Sequence, residues 1–316
     1  MNITLFKERA RLNRAIRDFF GSRGYTEVET PLLAPEVLPE SSIELFKTCQ
    51  IQPDREPRDL FLIPSPEIWM KQLLSDGSGD IFQICRSFRN SEQSGRWHNP
   101  EFTMLEWYGT YLDEMDNIAL TEEMFRYLGD VLHSQELVKP FYRIAMDEAF
   151  TRWAGFSLEK DNDREALAGR VRDHHMQVTA DDTRESLFNK LFLTLVEPEL
   201  PADRPVALYD YPAFIKTLAA QIPGTPWARR WELYAGGVEL ANCFAEESDP
   251  AGVSRFIREE SMEKDRTALV KVITDTGFAE KTKNMPACSG VALGVDRLLA
   301  IILQLNSIGE VIYKPL

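Results

Sequence analysis

Residues 88–108 read FRNSEQSGRWHNPEFTMLEWY. They set Arg89, Arg96, His98, Asn99 and the glutamates Glu92, Glu101 and Glu106 among apolar and aromatic residues. A solvated loop seldom carries so many aromatics, and a packed core seldom carries so many charges. Such a mixture suits a site that holds a polyanion and a planar ring together, and ATP is the ligand it suggests. Further candidates lie outside this stretch. Glu239, Asn242 and Glu246 follow a Gly236-Gly237 pair, Arg297 closes the run GVALGVDR, and Ser65-Pro66-Glu67 heads an apolar segment. Each has a plainer reading when taken alone. Ser65 can be a helix N-cap. Glu239 and Glu246 can be solvated charges, His98 a core histidine and Ala292 a packing residue. Gly290 and Gly294 alone are a weak phosphate signal.

These residues need elements to position them. Leu5, Leu12, Ile16, Phe19 and Phe20 recur at helical spacing, and Gly21 and Gly24 end that helix. Tyr25–Val28 reads as a short strand leading to Pro31, followed by a loop over 33–42. Leu60–Ile63 reads as a strand. Ser65, Pro66 and Glu67 supply an N-cap, a first-turn proline and an acidic first turn for a helix with Met70, Leu73 and Leu74 inward. Strands are expected over 81–85 and 101–109. In the second, Phe102, Met104, Glu106 and Tyr108 share a face by the two-residue period. A glutamate there needs a cation from the protein or from a ligand. The segment from about 113 to 230 is mostly helical in pattern, with a strand expected over 206–209. Trp231–Cys243 reads as a hairpin turning at Gly236-Gly237. A strand over 290–293 passes into a buried helix with Arg297 in its first turn, near the positive end of the dipole.

Composition excludes several classes. The chain has 316 residues, 44% of them hydrophobic, and no apolar run long enough for a membrane span. Its start shows no secretory signal. Cys49, Cys85, Cys243 and Cys288 are scattered without a C-x-x-C pair, which fits a reduced, cytoplasmic setting rather than a disulfide framework or a zinc site. A net charge of −14 argues against a large nucleic-acid footprint.

Three segments in order resemble the class II aminoacyl-tRNA synthetase family, lysyl type. Pro31, after the first helix and strand, is similar to the dimer-forming motif. Residues 88–106, with His98-Asn99-Pro100-Glu101-Phe102 at their centre, are similar to the second motif, and residues 290–297 to the third. The resemblance implies an α+β fold, with an antiparallel sheet flanked by helices and a helical insertion over about 113–230. It also implies one catalytic unit over 1–316 and a homodimer. A complete lysyl enzyme has an N-terminal anticodon-binding barrel, whereas here the first catalytic helix begins at about residue 5. The expectation is therefore a chain without an anticodon-binding domain or anticodon-dependent tRNA binding. The wording at 65–67, 85–90 and 288–297 resembles a truncated branch of the family that joins (R)-β-lysine to a lysine side chain of elongation factor P.

By that resemblance a substrate carboxylate attacks the α-phosphorus of ATP, and an acceptor amine then attacks the acyl-adenylate. Arginine and Mg²⁺ are the stabilisers this chemistry needs. Arg89, Arg297 and Glu239 are implied as catalytic. ATP binding falls to Arg89, Asn90, Glu92, His98, Asn99, Phe102, Glu239, Leu240, Gly294 and Arg297. Glu239 and Glu246 are implied as Mg²⁺ ligands. The lysine or (R)-β-lysine pocket falls to Ser65, Pro66, Glu67, Glu106, Tyr108, Asn242, Glu246 and Ala292. Ala292 stands where lysyl-tRNA synthetases carry glycine, and one methyl in a tight pocket shifts preference by about 1–3 kcal/mol. The sequence departs from the family at four places. Glu92 stands three residues after Arg89 rather than two, Cys243 replaces a glycine, Glu247 replaces a leucine, and Phe214-Ile215-Lys216, after the matching Tyr211-Pro212-Ala213, is more apolar and basic than the family's wording. Two other readings are a minimal synthetase charging tRNA or a small carrier, and an inactive paralogue acting as a binding dimer. The missing anticodon domain and the charge weigh against the first, and the intact set Arg89, His98, Glu239, Glu246 and Arg297 against the second.

Overall fold

The computed structural model describes residues 3–91 and 95–315. Glu92, an expected ATP-binding residue, lies outside them. Helix α1 (Ile3–Gly21) buries Leu12, Ile16, Phe19 and Phe20, the stripe its apolar spacing requires. Strand β1 (Thr26–Glu27) follows Gly24, whose φ of 81° supplies the left-handed turn after the helix. Strands β2 (Leu33–Ala34), β3 (Lys47–Gln52) and β4 (Arg55–Leu62) form a small sheet in the order β2-β4-β3. The sequence reading missed β3 because all six of its residues are exposed and carry no alternation. Helix α2 (Glu67–Ser75) follows, but its N-cap is Pro66 and no side chain caps it. Ser65 therefore does not serve as the expected cap.

The remaining elements are β5 (Ile81–Phe88), β6 (Glu101–Thr110), α3 (Glu114–Leu132), β7 (Tyr142–Ala145), α4 (Met146–Ala149), α5 (Arg164–Asp173) and α6 (Arg184–Leu191). They continue with β8 (Val206–Pro212), β9 (Trp227–Ala235), β10 (Val238–Ala245), α7 (Pro250–Thr267), α8 (Phe278–Lys281), β11 (Cys288–Gly294) and α9 (Val295–Ile302). Among the described residues, eight strands form the main sheet in the order β1-β5-β6-β11-β10-β9-β8-β7. Its centre is antiparallel, as expected, while both edge pairs, β1–β5 and β7–β8, are parallel. The segment expected to be a helical insertion is thus interrupted. Strands β7 and β8 extend the main sheet, and α3 packs in the main core rather than outside it. The helices between β7 and β8 build their own apolar cluster around Phe150, Leu167, Leu187 and Phe188.

The two faces of the sheet have different work. One buries Phe82, Leu105, Trp107, Val291, Leu293, Ala241, Cys243, Trp231 and Leu233 against α1, α3 and α9. Polar bonds fix α3 there: Trp107 Nε1 donates to Asn117 Oδ1 at 3.0 Å, Asn117 Nδ2 to the Ser289 carbonyl at 3.0 Å, and Trp231 Nε1 to the Glu114 carbonyl at 2.6 Å. Cys243, in place of the family's glycine, lies on this buried face with its Sγ 3.2 Å from Ser289 Oγ. The alternate residues of the same strands point to the opposite face and form the floor of a cavity.

Candidate active site

That floor is a ladder of polar residues in register. Gln83 on β5 pairs with Glu106 on β6, Glu106 with Ala292 on β11, Ala292 with Asn242 on β10, and Asn242 with Glu232 on β9. Five strands thus carry their in-register residues to one face, as strand periodicity dictates. Above this floor lies a cavity of about 480 Å³, within the range of small-molecule sites. Its walls include Glu67, Arg89, His98, Asn99, Phe102, Glu239, Leu240, Asn242, Ala292, Gly294 and Arg297.

A bulge in β10 aims Glu239. The register runs Glu239↔Tyr234, then Ala241↔Leu233, so Leu240 is an extra residue. Without it, Glu239 and Asn242, three residues apart, would face opposite sides of the sheet; the bulge puts both on the cavity face. There Glu239 meets Glu232. Burial and then the Glu232 charge push the Glu239 carboxyl up to about 7, against the pull of Arg297, Arg230 and Arg89. Glu232 is tightly held. It accepts from Tyr211 Oη at 2.6 Å, Tyr234 Oη at 2.7 Å and Arg230 at 2.6 Å. Both carboxylates expected to hold the metal are buried: Glu239 lies beside Glu232, and Glu246 is ion-paired with Lys71. No cluster of three or more metal-ligating side chains occurs among the described residues.

The guanidinium groups stand at the same end. Arg89 Nε is buried with no hydrogen-bond partner among the described residues, and its guanidinium carbon lies 5.4 Å from the Phe102 ring centroid. A buried donor left unpaired is costly unless a ligand meets it. Arg297 donates from Nε to the Trp97 carbonyl at 3.1 Å and from its NH1 to the Glu239 carbonyl at 2.7 Å. Asn99 is buried and donates from Nδ2 to the Glu101 carbonyl at 2.6 Å.

The other end is carboxylate-rich. Lys71 is 2% exposed, and its Nζ lies 2.6 Å from Glu67 Oε1 and 2.5 Å from Glu246 Oε2. Burial alone would lower the lysine pKa, but Glu246 and Glu67 raise it more, so the ammonium stays charged. Glu106 is buried, accepts from Tyr108 Oη at 2.8 Å, and leaves Oε2 without a partner among the described residues. Burial, then Glu67, pushes its pKa well above the ordinary range, against the Tyr108 bond and Lys71. Of the two partners expected for Glu106, a protein cation does not reach that oxygen. The Tyr108 ring lies across Gly290, where a Cβ would stand 2.3 Å from Tyr108 Cε1.

Some expected residues do not line the open cavity. Ser65 and Pro66 sit at the head of α2, Glu106 is buried within the floor ladder, and Tyr108 and Glu246 are buried. The Asn90 side chain is spent on the loop: its Nδ2 donates to the Leu45 carbonyl at 3.4 Å, and its Oδ1 accepts from the Ser91 amide. Lys71, Glu232, Arg230 and Glu40 were missed. Lys71 was legible as the i+4 partner of Glu67. Glu232 was legible as the polar residue alternating with Trp231 and Leu233. Glu40 carried no local signal.

The profile of the class II tRNA synthetases (D, K and N) matches residues 2–316. Curated relatives agree. One from Avibacterium paragallinarum is 36% identical over 316 residues, covering 98% of this chain and 95% of its own length. One from Mannheimia succiniciproducens is 38% identical over 312 residues, covering 98% and 93%. One from Klebsiella pneumoniae is 38% identical over 311 residues, covering 96% and 93%. All three relatives are named elongation factor P–(R)-β-lysine ligase.

Proposed function

The chain belongs to the class II tRNA synthetases (D, K and N), and from that premise we propose that it is an ATP-dependent ligase. It activates (R)-β-lysine, or lysine, as an adenylate and transfers the acyl group to a lysine side chain of elongation factor P. The observation that carries this reading is the polarity of one cavity. The Glu67 carboxylate lines one part of it, with the unpartnered Glu106 oxygen buried in the floor strand, and an unpartnered buried guanidinium nitrogen on Arg89 lines another. A substrate with an ammonium at one end and a carboxylate at the other answers both.

In the first step the substrate carboxylate, ionised at neutral pH, needs no base. Arg89 binds it together with the α-phosphate. His98 and Arg297 bind the outer phosphates, Phe102 and the Arg297 guanidinium sandwich the adenine, and Asn99 reads its edge. Arg297 also joins the Trp97 and Glu239 carbonyls, so it fixes the phosphate-binding loop to the sheet before substrate arrives. Glu239 is assigned to the Mg²⁺ ion, with Glu246 as its second ligand: burial raises both carboxyls to about 7, and a bound cation favours their ionised form. Bound there, Mg²⁺ supplies neutralisation of phosphate charge.

Glu67, Glu106 and Tyr108 bind the amino-acid ammonium groups. Glu246 acts with them through Lys71, and Ala292 narrows the floor. Ser65, Pro66, Asn90 and Leu240 shape the walls. Four free thiols accord with a cytoplasmic location, and no helix of the described residues is long and apolar enough to cross a membrane. A homodimer is expected through the Pro31 segment; light scattering of the purified protein tests it, and a monomer at micromolar concentration removes it.

The direct test is to incubate the protein with ATP, Mg²⁺ and elongation factor P, with lysine or (R)-β-lysine, and record the intact mass of the factor. A gain of one lysyl unit, faster with the β-isomer, is the expected result. An adenylate that forms without labelling the factor defeats the reading and moves the search to tRNA or small acceptors.

A further inference from the structure

The second step sets a demand that the first does not. A lysine acceptor arrives as an ammonium with an ordinary pKa of about 10.4. Amide formation removes two protons from that nitrogen, so the step needs a carboxylate near the reacting carbonyl that is not already engaged. Most carboxylates around the cavity are engaged. Glu67 and Glu246 are tied to Lys71, Glu106 to Tyr108, and Glu232 to three donors. Glu239 is placed beside Glu232 at the cation position.

Glu40 remains. It lines the cavity with Arg89 and Glu67, and its carboxylate accepts no hydrogen bond from any described residue. Its backbone is pinned from α7: Lys264 Nζ donates to the Glu40 carbonyl at 2.7 Å, and Glu260 Oε2 accepts from the Ser41 amide at 2.9 Å. The side chain is thus presented from a fixed loop. The charged groups facing it are Glu67 and Lys71 on α2, Arg89 after β5, and Lys264 on α7. Arg89 matters most, because it is the residue assigned to the reacting carboxylate. Glu185 on α6 is also on the cavity wall without a donor, but its charged neighbours are Glu260, Arg230 and Lys216, not Arg89.

We propose that Glu40 is the proton acceptor for the incoming amine in the transfer step, an inference that rests on the function proposed above. Glu40 takes one proton from the ammonium and releases it to solvent. The amine nitrogen then adds to the acyl carbon. As the carbon–oxygen bond to the phosphate breaks and AMP leaves as its dianion, Glu40 takes the second proton. Burial, then the Glu67 charge, pushes the Glu40 carboxyl up to about 7, against Arg89, Lys264 and Lys71. A base poised near the working pH is the efficient arrangement.

The test uses full-length protein loaded with adenylate and follows single-turnover transfer to elongation factor P in the wild type, Glu40→Gln, Glu40→Asp and Glu185→Gln. Glu40→Gln is expected to slow transfer about 100-fold. Its ATP–pyrophosphate exchange, and its capture by hydroxylamine, an amine uncharged at neutral pH, should match the wild type. Glu40→Asp should recover part of the rate, and Glu185→Gln should transfer normally. The wild-type transfer rate should rise with pH through about 7, and that rise should vanish in Glu40→Gln. Unchanged transfer and pH profile in Glu40→Gln overturn the inference, as does a parallel loss of exchange and hydroxylamine capture. A wild type that yields hydroxamate but never labels the factor defeats the functional reading itself, and this inference with it.

Discussion

Arg297 reaches two backbone carbonyls from different parts of the chain, Trp97 and Glu239, before any ligand is bound. It therefore combines charge with the placement of its neighbours, and replacing it removes both. Arg297→Ala is expected to lower ATP–pyrophosphate exchange by about 10²–10³-fold, the scale for losing one preorganised charge-stabilising group. Exchange at the wild-type rate with folding intact by circular dichroism would remove Arg297 from the phosphate site. Ala292 works by volume instead. It pairs in register with Glu106 on one side and Asn242 on the other, so its methyl stands in the row proposed above to hold the amino acid. Ala292→Gly is expected to shift the ratio of α-lysine to (R)-β-lysine use toward α-lysine by about tenfold, within the roughly 1–3 kcal/mol of a single methyl. An unaltered ratio of kcat/KM values would take the residue out of the selectivity argument.

At the scale of elements, α9 must sit at a fixed height over β6 for Arg297 to reach its carbonyls. Asp296 sets that height. It is 2% exposed, accepts from Arg9 on α1 at 2.5 Å, and accepts from the Thr103 amide on β6 at 2.6 Å. One carboxylate thus joins three elements that are distant in sequence. Asp296→Ala leaves a partly buried guanidinium and a buried amide without their partner, and is expected to cost about 3–5 kcal/mol. Urea unfolding would read this as a lower midpoint at unchanged slope, and an unshifted midpoint would show that the contact is dispensable. The β10 bulge acts at the same scale. One extra residue, Leu240, decides whether Glu239 faces the cavity or the core.

The whole molecule carries a net charge of −14 and concentrates several carboxylates in one cavity. Burial raises Glu40, Glu239 and Glu246 from 4.5 to about 7. The folded state therefore binds these protons more tightly than the unfolded chain does. The resulting stability is fully present below about pH 4.5 and is lost as pH rises through about 7. Without ligands, the melting temperature is expected to fall over that window, superimposed on the ordinary acid limb of other groups. Mg²⁺ should restore it at pH 8 more than at pH 5.5, because the ionised Glu239 carboxylate attracts the cation and its protonated form does not. A thermal-shift series with and without Mg²⁺ tests this. Equal Mg²⁺ effects at both pH values, or an undiminished effect in Glu239→Gln, would place the cation elsewhere.

The sequence by itself determined the family and most of the central elements. Arg89, His98, Asn99 and Phe102 lie close together in the chain, in and beside the loop between two strands with a clear two-residue period, so their grouping is a local property. Helix α1 and the Gly236-Gly237 hairpin were legible for the same reason. Tertiary structure alone decided which carboxylates meet. Glu239 faces the cavity beside Glu232 because of a bulge that no alternation pattern reveals. Glu246 meets Lys71 across 175 residues of chain, by the numbering of the two positions. Glu40 lines the cavity with Arg89 from a loop that α7 holds by its backbone. Local propensity fixes which way a side chain points along its own strand, but cross-strand register and long-range packing fix what it points at.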